Sequence, residues 1–385
     1  MGLGCAALVF CWQFLTVRYN YQGHWTGLFC TGSLLPQPPQ LAAESIYRFA
    51  GSNGYDGQFY HYTAHDPFFR RGFLPYVQGS RFRYRRILIP LAAYLLSFGR
   101  DNLVDGGYFA VILLLVFCGA YWLSLYFRLH GFNPVWGLLF VWIPATVTSI
   151  DRMTVDGGLA ALCIGFALYA EQDSKWRTYA VLAAAALLRE TGLVLVAGYV
   201  IYLVWNRRFR SALLFATAAI PALAWYAFVW AHTSGEVGRW VTLLPTSESW
   251  FSAIPLKGLA VRMVRPYHYQ TAPPVQWALM VFDYVALLCA ALAILVAIRL
   301  AWRRQGGPTE ICLYLYALMA IFLSFQDAWT EVYGFGRILS PLLVLLGLHG
   351  LAKRNWIALL PILVVGARAV LQLAPQSLKI LKAAL

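Results

Sequence analysis

VQWALMVFDYVALLCAALAILVAIR, from Val275 to Arg299, carries a single charged side chain, Asp283, before the arginine that ends it. A helix needs roughly 20 predominantly apolar residues to cross a bilayer core, and this run supplies them. Similar runs recur along nearly the whole chain: Gly2–Thr16, Gly107–Phe127, Pro134–Ser149, Val155–Ala170, Ala212–Ala231, Ile311–Phe325, Ile338–Gly350 and Ile357–Leu373. Each is roughly 15–25 residues long, which suits a bilayer when some helices are short or broken. The sequence therefore predicts an all-α, polytopic transmembrane bundle.

Composition agrees. Of 385 residues, 60% are hydrophobic and 12% charged, and the mean hydropathy is +0.61, which excludes an ordinary soluble domain. The alternating ten-residue segments of a membrane barrel are absent from the sequence. The formal net charge is +14, but the basic residues lie between apolar runs. That arrangement points to membrane phosphates, as lipid headgroups or a phosphate-bearing substrate, and not to nucleic acid. The seven cysteines follow no metal-type spacing and read as small buried hydrophobes. The apolar start lacks a basic n-region and a convincing cleavage site, so it reads as a retained first helix.

Charge asymmetry arranges the runs. Ile87–Phe98 is short and contains Pro90, so it is expected to lie along or dip into the membrane. Thr178–Trp205 is interrupted by Arg189-Glu190-Thr191 and is expected to form two limbs meeting near Arg189. About eleven membrane-embedded segments result on this reading. Arg128, Lys175, Arg177, Arg207, Arg208, Arg210, Arg303, Arg304, Lys353 and Arg354 then share one side, expected to be cytoplasmic. A first loop (18–86) and a second loop (232–274) fall on the outer side of a single integral-membrane domain. The first is itself rich in arginine, and holding an anionic headgroup would give that cluster a local reason.

Within the first loop lies GYDGQFYHYTAHDP, Gly54–Pro67, a polar island with two aspartates, two histidines and three tyrosines. Gly54 and Gly57 flank Tyr55-Asp56, so the backbone there can turn tightly or approach a ligand. A carboxylate beside aromatic residues at a membrane surface is partly desolvated and suited to accept a proton. Asp66, before Pro67, reads more readily as a turn or cap residue. A solvated loop anchored by Tyr and Phe is the plainer alternative for the whole stretch.

This stretch, followed by RFRYRRILIP (Arg81–Pro90), resembles the first outer loop of bacterial GT-C-type membrane glycosyltransferases. LLRETG (Leu187–Gly192) and FGRILSPL (Phe335–Leu342) resemble further recurrent pieces of those proteins, while His61 and His65 depart from their pattern. The resemblance implies transfer of a sugar from a polyprenyl-phosphate carrier to an acceptor hydroxyl on a glycan or lipid, with inversion, for cell-surface assembly. It implies a bacterial inner membrane with the active site facing outward. Asp56 matches the position of the catalytic base. Arg83, Arg85, Arg86, Arg189 and Arg337 are candidates for the phosphate, because guanidinium groups clamp its oxygens. Tyr55, Gln58, Tyr60, Asp66 and Glu190 are the remaining candidates for substrate contact.

Plainer readings stand beside these. The Arg81–Arg86 cluster could bind lipid headgroups, and Arg189-Glu190 could be a structural ion pair. Asp151, Arg152 and Asp156 could line the acceptor side or bound a short turn. His61 and His65, four apart, would share a helical face, and with Asp56 or Asp66 could hold a divalent ion. A lone pair at that spacing is weak evidence, so neither a cofactor nor a metal is expected. Trp240, Trp250, Trp277 and Trp329 read chiefly as membrane-interface residues, with Trp250 a candidate sugar platform. A transporter or flippase of lipid-linked sugars is the competing function, and a glycan polymerase or ligase another. Polar residues gathered on one face without inverted repeats argue against transport.

Overall fold

The computed structural model describes residues 1–234 and 250–384, and these are mostly helical, with two short strands. Helix α1 (Gly2–Asn20) leads into the first long loop. There β1 (Thr31–Gly32) and β2 (Arg48–Phe49) pair in parallel, Thr31 against Arg48 and Gly32 against Phe49. Three short helices follow: α2 (Asp56–His65), α3 (Ser80–Tyr84) and α4 (Leu88–Leu96). Next come α5 (Asp101–Leu129), α6 (Pro144–Arg152), α7 (Asp156–Glu171), α8 (Lys175–Leu188) and α9 (Leu193–Trp205). α10 (Phe209–Ala216) and α11 (Ile220–Thr233) continue one another through a 3₁₀ turn. The chain closes with α12 (Lys257–Val264), α13 (Pro273–Trp302), α14 (Pro308–Phe322), α15 (Val332–Ala352), α16 (Leu360–Leu371) and α17 (Ala374–Ala384).

Among the described residues, five helices are long and apolar enough to cross a membrane, or up to seven if each of two bent pairs is one span. The architecture is thus the all-α polytopic bundle expected; the roughly eleven membrane-embedded segments read from the sequence include short and broken ones that are not full-length spans. Two effects separate segments from spans. Some apolar runs fold into helices too short to span alone: α7, with 16 residues, is only about 24 Å long. Others bend at a proline. The run Pro134–Ser149 breaks by 61° where Pro144 opens α6, and the last apolar segment bends by 47° just before Pro375.

α4 has nine residues, too few to cross a bilayer. The expected break near Arg189 is present. α8 and α9 are separate limbs, with Arg189 in extended conformation between them. The run Val275–Arg299 lies inside the unbroken α13, and its one internal charge is neutralised: Asp283 is 1% exposed. Its carboxylate accepts from Arg368 Nε at 2.8 Å, the Tyr269 hydroxyl at 2.7 Å and Arg262 Nη2 at 3.3 Å. An apolar helix keeps a buried charge here because guanidinium groups from α12 and α16 meet it.

α15 is enclosed by α6, α7, α14 and α16 and is buried along almost its whole length. Its N-terminal end, with α7, the α8–α9 break and the first long loop, defines one end of the bundle. There the polar residues converge.

Candidate active site

The site begins with backbone geometry around Asp56. Gly54 has φ +76°, a left-handed conformation that favours glycine, and Tyr55 is extended, so Asp56 becomes the first residue of α2. A carboxylate there faces the positive end of the helix dipole. Gly57 lies against the carbonyl oxygens of Arg152 and Phe29, a space any Cβ would fill. Gly57 thus presses the start of α2 onto the end of α6, while Gly54 sits against the Cys30 carbonyl and the Gly32 backbone at β1.

Two arginines hold Asp56. Arg83 Nη2 donates to Oδ1 at 2.8 Å, and Arg337 Nη1 lies 2.7 Å from Oδ2. Arg83 comes from α3 and packs its guanidinium 3.9 Å above the Phe59 ring; Arg337 comes from α15 and lies 5.0 Å over Tyr55. Burial by itself would raise the Asp56 pKa. The guanidinium groups of Arg337, Arg83 and Arg86 outweigh it and hold the carboxyl well below the usual range.

The network continues inward. Arg337 Nη1 is 3.6 Å from Asp156 at the start of α7, and Asp156 also pairs with Arg189. Arg86 makes a bidentate pair with Glu190, both bonds 3.0 Å, and donates to the Tyr60 hydroxyl at 2.8 Å. Its guanidinium stacks 3.7 Å above Phe82. Arg85 lies 5.6 Å from the Tyr226 ring. The Nε atoms of Arg83, Arg85, Arg189 and Arg337 are shielded from solvent and have no hydrogen-bond partner among the described residues. Arg83, Arg86, Arg189 and Arg337 pair with three carboxylates, Asp56, Asp156 and Glu190, so guanidinium groups outnumber the carboxylates they pair with, and Arg85 lies beside them against Tyr226. Unused donors and surplus positive charge together suit an anion rich in oxygen acceptors.

Other candidates have structural employment. The Gln58 carboxamide accepts from Gly32 N at 3.2 Å and donates to the Asn53 carbonyl at 2.7 Å, fixing the turn that presents Asp56. Asp66 accepts from the backbone N–H groups of Arg70, Arg71 and Phe73 at 2.7, 3.0 and 3.3 Å, as a turn residue does. Tyr55 donates to the Tyr333 carbonyl at 3.3 Å, and Tyr333 donates to Asp151 at 3.0 Å. Asp151 also pairs with Arg152 at 3.0 Å, beside the site and not within the arginine ring. Asp156, by contrast, is inside the ring and 1% exposed. Trp250 stacks on Phe325 at 4.5 Å and lies 5.3 Å from Phe82, next to the arginine segment. Trp240 and much of the second loop lie outside the described residues.

His61 and His65 are fully buried on α2 and meet neither Asp56 nor Asp66. Their partners are Glu44 of the first loop and Asp101 and Asp105 of α5. Among the described residues, Glu44, His61 and His65 form a group whose ligand atoms, within 4.8 Å of one another, could hold a metal ion, and sequence reasoning had not included Glu44. No local spacing signals it: the contacts close only when the loop and α5 fold against α2.

Comparison with known proteins supplies the family. Residues 88–325, more than half of the chain, match the model of Glycosyltransferase family 87, and the chain belongs to that family, which is of the GT-C type. The match includes Arg189 and Glu190 and excludes Asp56, the Arg83–Arg86 segment and Arg337. No curated protein and no solved structure matches the chain.

Proposed function

We propose that this membrane glycosyltransferase of family 87 takes a sugar from a polyprenyl-phosphate carrier and passes it, with inversion, to an acceptor hydroxyl, using Asp56 as base. The observation that carries the reading is the position of Asp56 between Arg83 and Arg337, at 2.8 and 2.7 Å, beside guanidinium nitrogens that lack partners. A phosphodiester donor carries one negative charge and its phosphate leaving group up to two, which suits a site where guanidinium groups outnumber the carboxylates they pair with.

The same arginines tune the base. In the resting arrangement they hold Asp56 ionised, and a carboxylate of such low basicity is a weak proton acceptor. A donor phosphate competes for Arg83 and Arg337. As they turn toward it, Asp56 loses their stabilisation while staying enclosed, and its basicity rises. The glycosidic C–O bond to the carrier breaks, the acceptor oxygen bonds to the anomeric carbon, and its proton passes to Asp56. The electron pair of the broken bond stays on the phosphate, where the arginines meet the added charge. Glu190 and Asp156 hold Arg86, Arg189 and Arg337 in place. The reading sets the site on the outer face of a bacterial inner membrane, with a glycan or glycolipid as acceptor.

The test is transfer in proteoliposomes supplied with a panel of radiolabelled polyprenyl-phosphate sugars and envelope lipid or glycan acceptors. Product with inverted anomeric configuration, lost in Asp56→Asn, is expected. Transfer only from nucleotide sugars, or an Asp56→Asn enzyme of full activity, would overturn the reading.

A further inference from the structure

On the face of α2 turned away from the arginine ring, four side chains converge. His61 Nε2 and His65 Nε2 are 3.2 Å apart. Glu44 places Oε2 3.7 Å from the first and Oε1 3.6 Å from the second. Asp105 Oδ1 lies 2.8 Å from His61 Nε2 and 3.9 Å from His65 Nε2. Both imidazoles are 0% exposed, while the two carboxylates are 23% and 25% exposed. Asp101 Oδ1 meets His65 Nδ1 at 2.9 Å and is itself held by both terminal nitrogens of Arg71 at 2.6 Å.

We propose that Glu44, His61, His65 and Asp105 form a structural site for a divalent transition-metal ion, zinc by preference. The first argument is spacing. Ligands at 2.0–2.1 Å around a tetrahedral ion are about 3.4 Å apart. The separations among His61, His65 and Asp105, at 2.8, 3.2 and 3.9 Å, scatter around that value, and Glu44 offers one carboxylate oxygen within 4.8 Å of both imidazole nitrogens. The second argument is protonation. The Asp101 carboxylate accepts from Nδ1 of His65, which leaves the Nε2 lone pair free to bind a metal. This is the outer partner that ligating histidines characteristically have. His61 stacks on Phe29 at 4.3 Å, and among the described residues its Nδ1 has no partner and its polar contacts are made by Nε2.

The third argument is charge. Asp101 is matched by Arg71, so two neutral imidazoles with Glu44 and Asp105 leave two negative charges in an enclosed space. A divalent cation neutralises them. A proton bridging the imidazoles would neutralise one and leave the other uncompensated. Two imidazoles with two carboxylates suit zinc in tetrahedral coordination, and four protein ligands leave no open position for catalysis. The ion would tie together three pieces that are distant in sequence: the loop before β2, the helix that carries Asp56, and the start of α5.

The test uses full-length protein purified in detergent through an affinity tag free of histidine, without chelators. Elemental analysis is expected to give about one zinc per chain, falling at least tenfold in His61→Gln, His65→Gln and the double variant. Replacement by cobalt(II) is expected to give the visible absorption of a tetrahedral ion, lost in the same variants. Because these variants risk misfolding, the wild-type protein provides an independent readout. Chelation is expected to lower its melting temperature by roughly 5 °C or more, and added zinc to restore it. Wild-type protein that takes up neither zinc nor cobalt stoichiometrically at micromolar concentration overturns the proposal. So does metal retained in full, with an unchanged cobalt spectrum, after both histidines are replaced.

Discussion

Replacing Asp56 with Asn separates chemistry from binding, and the two should move in opposite directions. The carboxylate makes ion pairs of 2.8 and 2.7 Å with side chains about one-sixth exposed: 17% for Asp56, 16% for Arg83 and 15% for Arg337. Opposite charges this close attract by roughly 6 kcal/mol at an effective dielectric constant near 20, before desolvation is counted. A phosphate donor must displace part of that attraction to reach the guanidinium groups. Asn keeps the shape but not the charge, so the competitor is gone. If about 1.4 kcal/mol of the attraction survives screening and desolvation, the donor binds about tenfold more tightly. On the proposed mechanism Asp56→Asn also removes the base, which is expected to lower turnover by about 10²–10⁴-fold. Equilibrium binding of a short-chain polyprenyl-phosphate sugar, set beside single-turnover transfer with the same donor, measures both. Tighter binding with little turnover supports the competition between carboxylate and phosphate. Weaker donor binding would show that Asp56 contacts the sugar itself, and unchanged turnover would remove it as base.

Two further substitutions probe the frame. Asp283→Ala leaves Arg262 and Arg368 buried without their shared carboxylate, at 6% and 3% exposure. It is expected to cost about 3–5 kcal/mol, read as a large fall in melting temperature in detergent, and a wild-type melting temperature would show that the cluster adds little. Gly57→Ala puts a methyl group against the Arg152 and Phe29 carbonyls. It is expected to cost about 1–3 kcal/mol and to reduce transfer by up to about 10²-fold by shifting Asp56. Gly106→Ala, with open space around it, is the matched control for both readouts.

The legible parts of this molecule are those that local chemistry dictates. Val275–Arg299 could only be a long apolar helix, and α13 extends it by a few residues at each end. Arg189-Glu190 inside an apolar run marked the break between α8 and α9, because charges interrupt a span. Pro144 was equally visible, but an apolar run long enough to span hid the bend it makes at α6. For the site, Asp56 and the Arg83–Arg86 segment stood out as polar and basic patches close in sequence. The contacts of Arg337 with Asp56 and Asp156 join α15 to α2 and α7, and no periodicity encodes such pairings. Asp156 read from sequence as lining the acceptor side or bounding a short turn; its place in the arginine ring appears only in three dimensions. Gln58 and Asp66 show the reverse: polar residues in a conspicuous stretch whose hydrogen bonds go to backbone groups.

The polar island Gly54–Pro67 therefore has two jobs on one short helix. At its start, Gly54 and Gly57 let α2 pack tightly and Asp56 meets Arg83 and Arg337. At its other end, His61 and His65 meet Glu44, Asp101 and Asp105. Ten residues span only about 15 Å, so a displacement at the histidine end is transmitted to Asp56 with little attenuation. A free ten-residue helix is marginal in water, and α2 is stable only through such tertiary contacts. General-base catalysis needs the carboxylate within hydrogen-bond reach of the acceptor, and a misplacement of about 1 Å can cost 10²-fold. The histidines, which depart from the sequence pattern around Asp56, thus acquire a physical role: they fix the position of the helix on which that carboxylate depends.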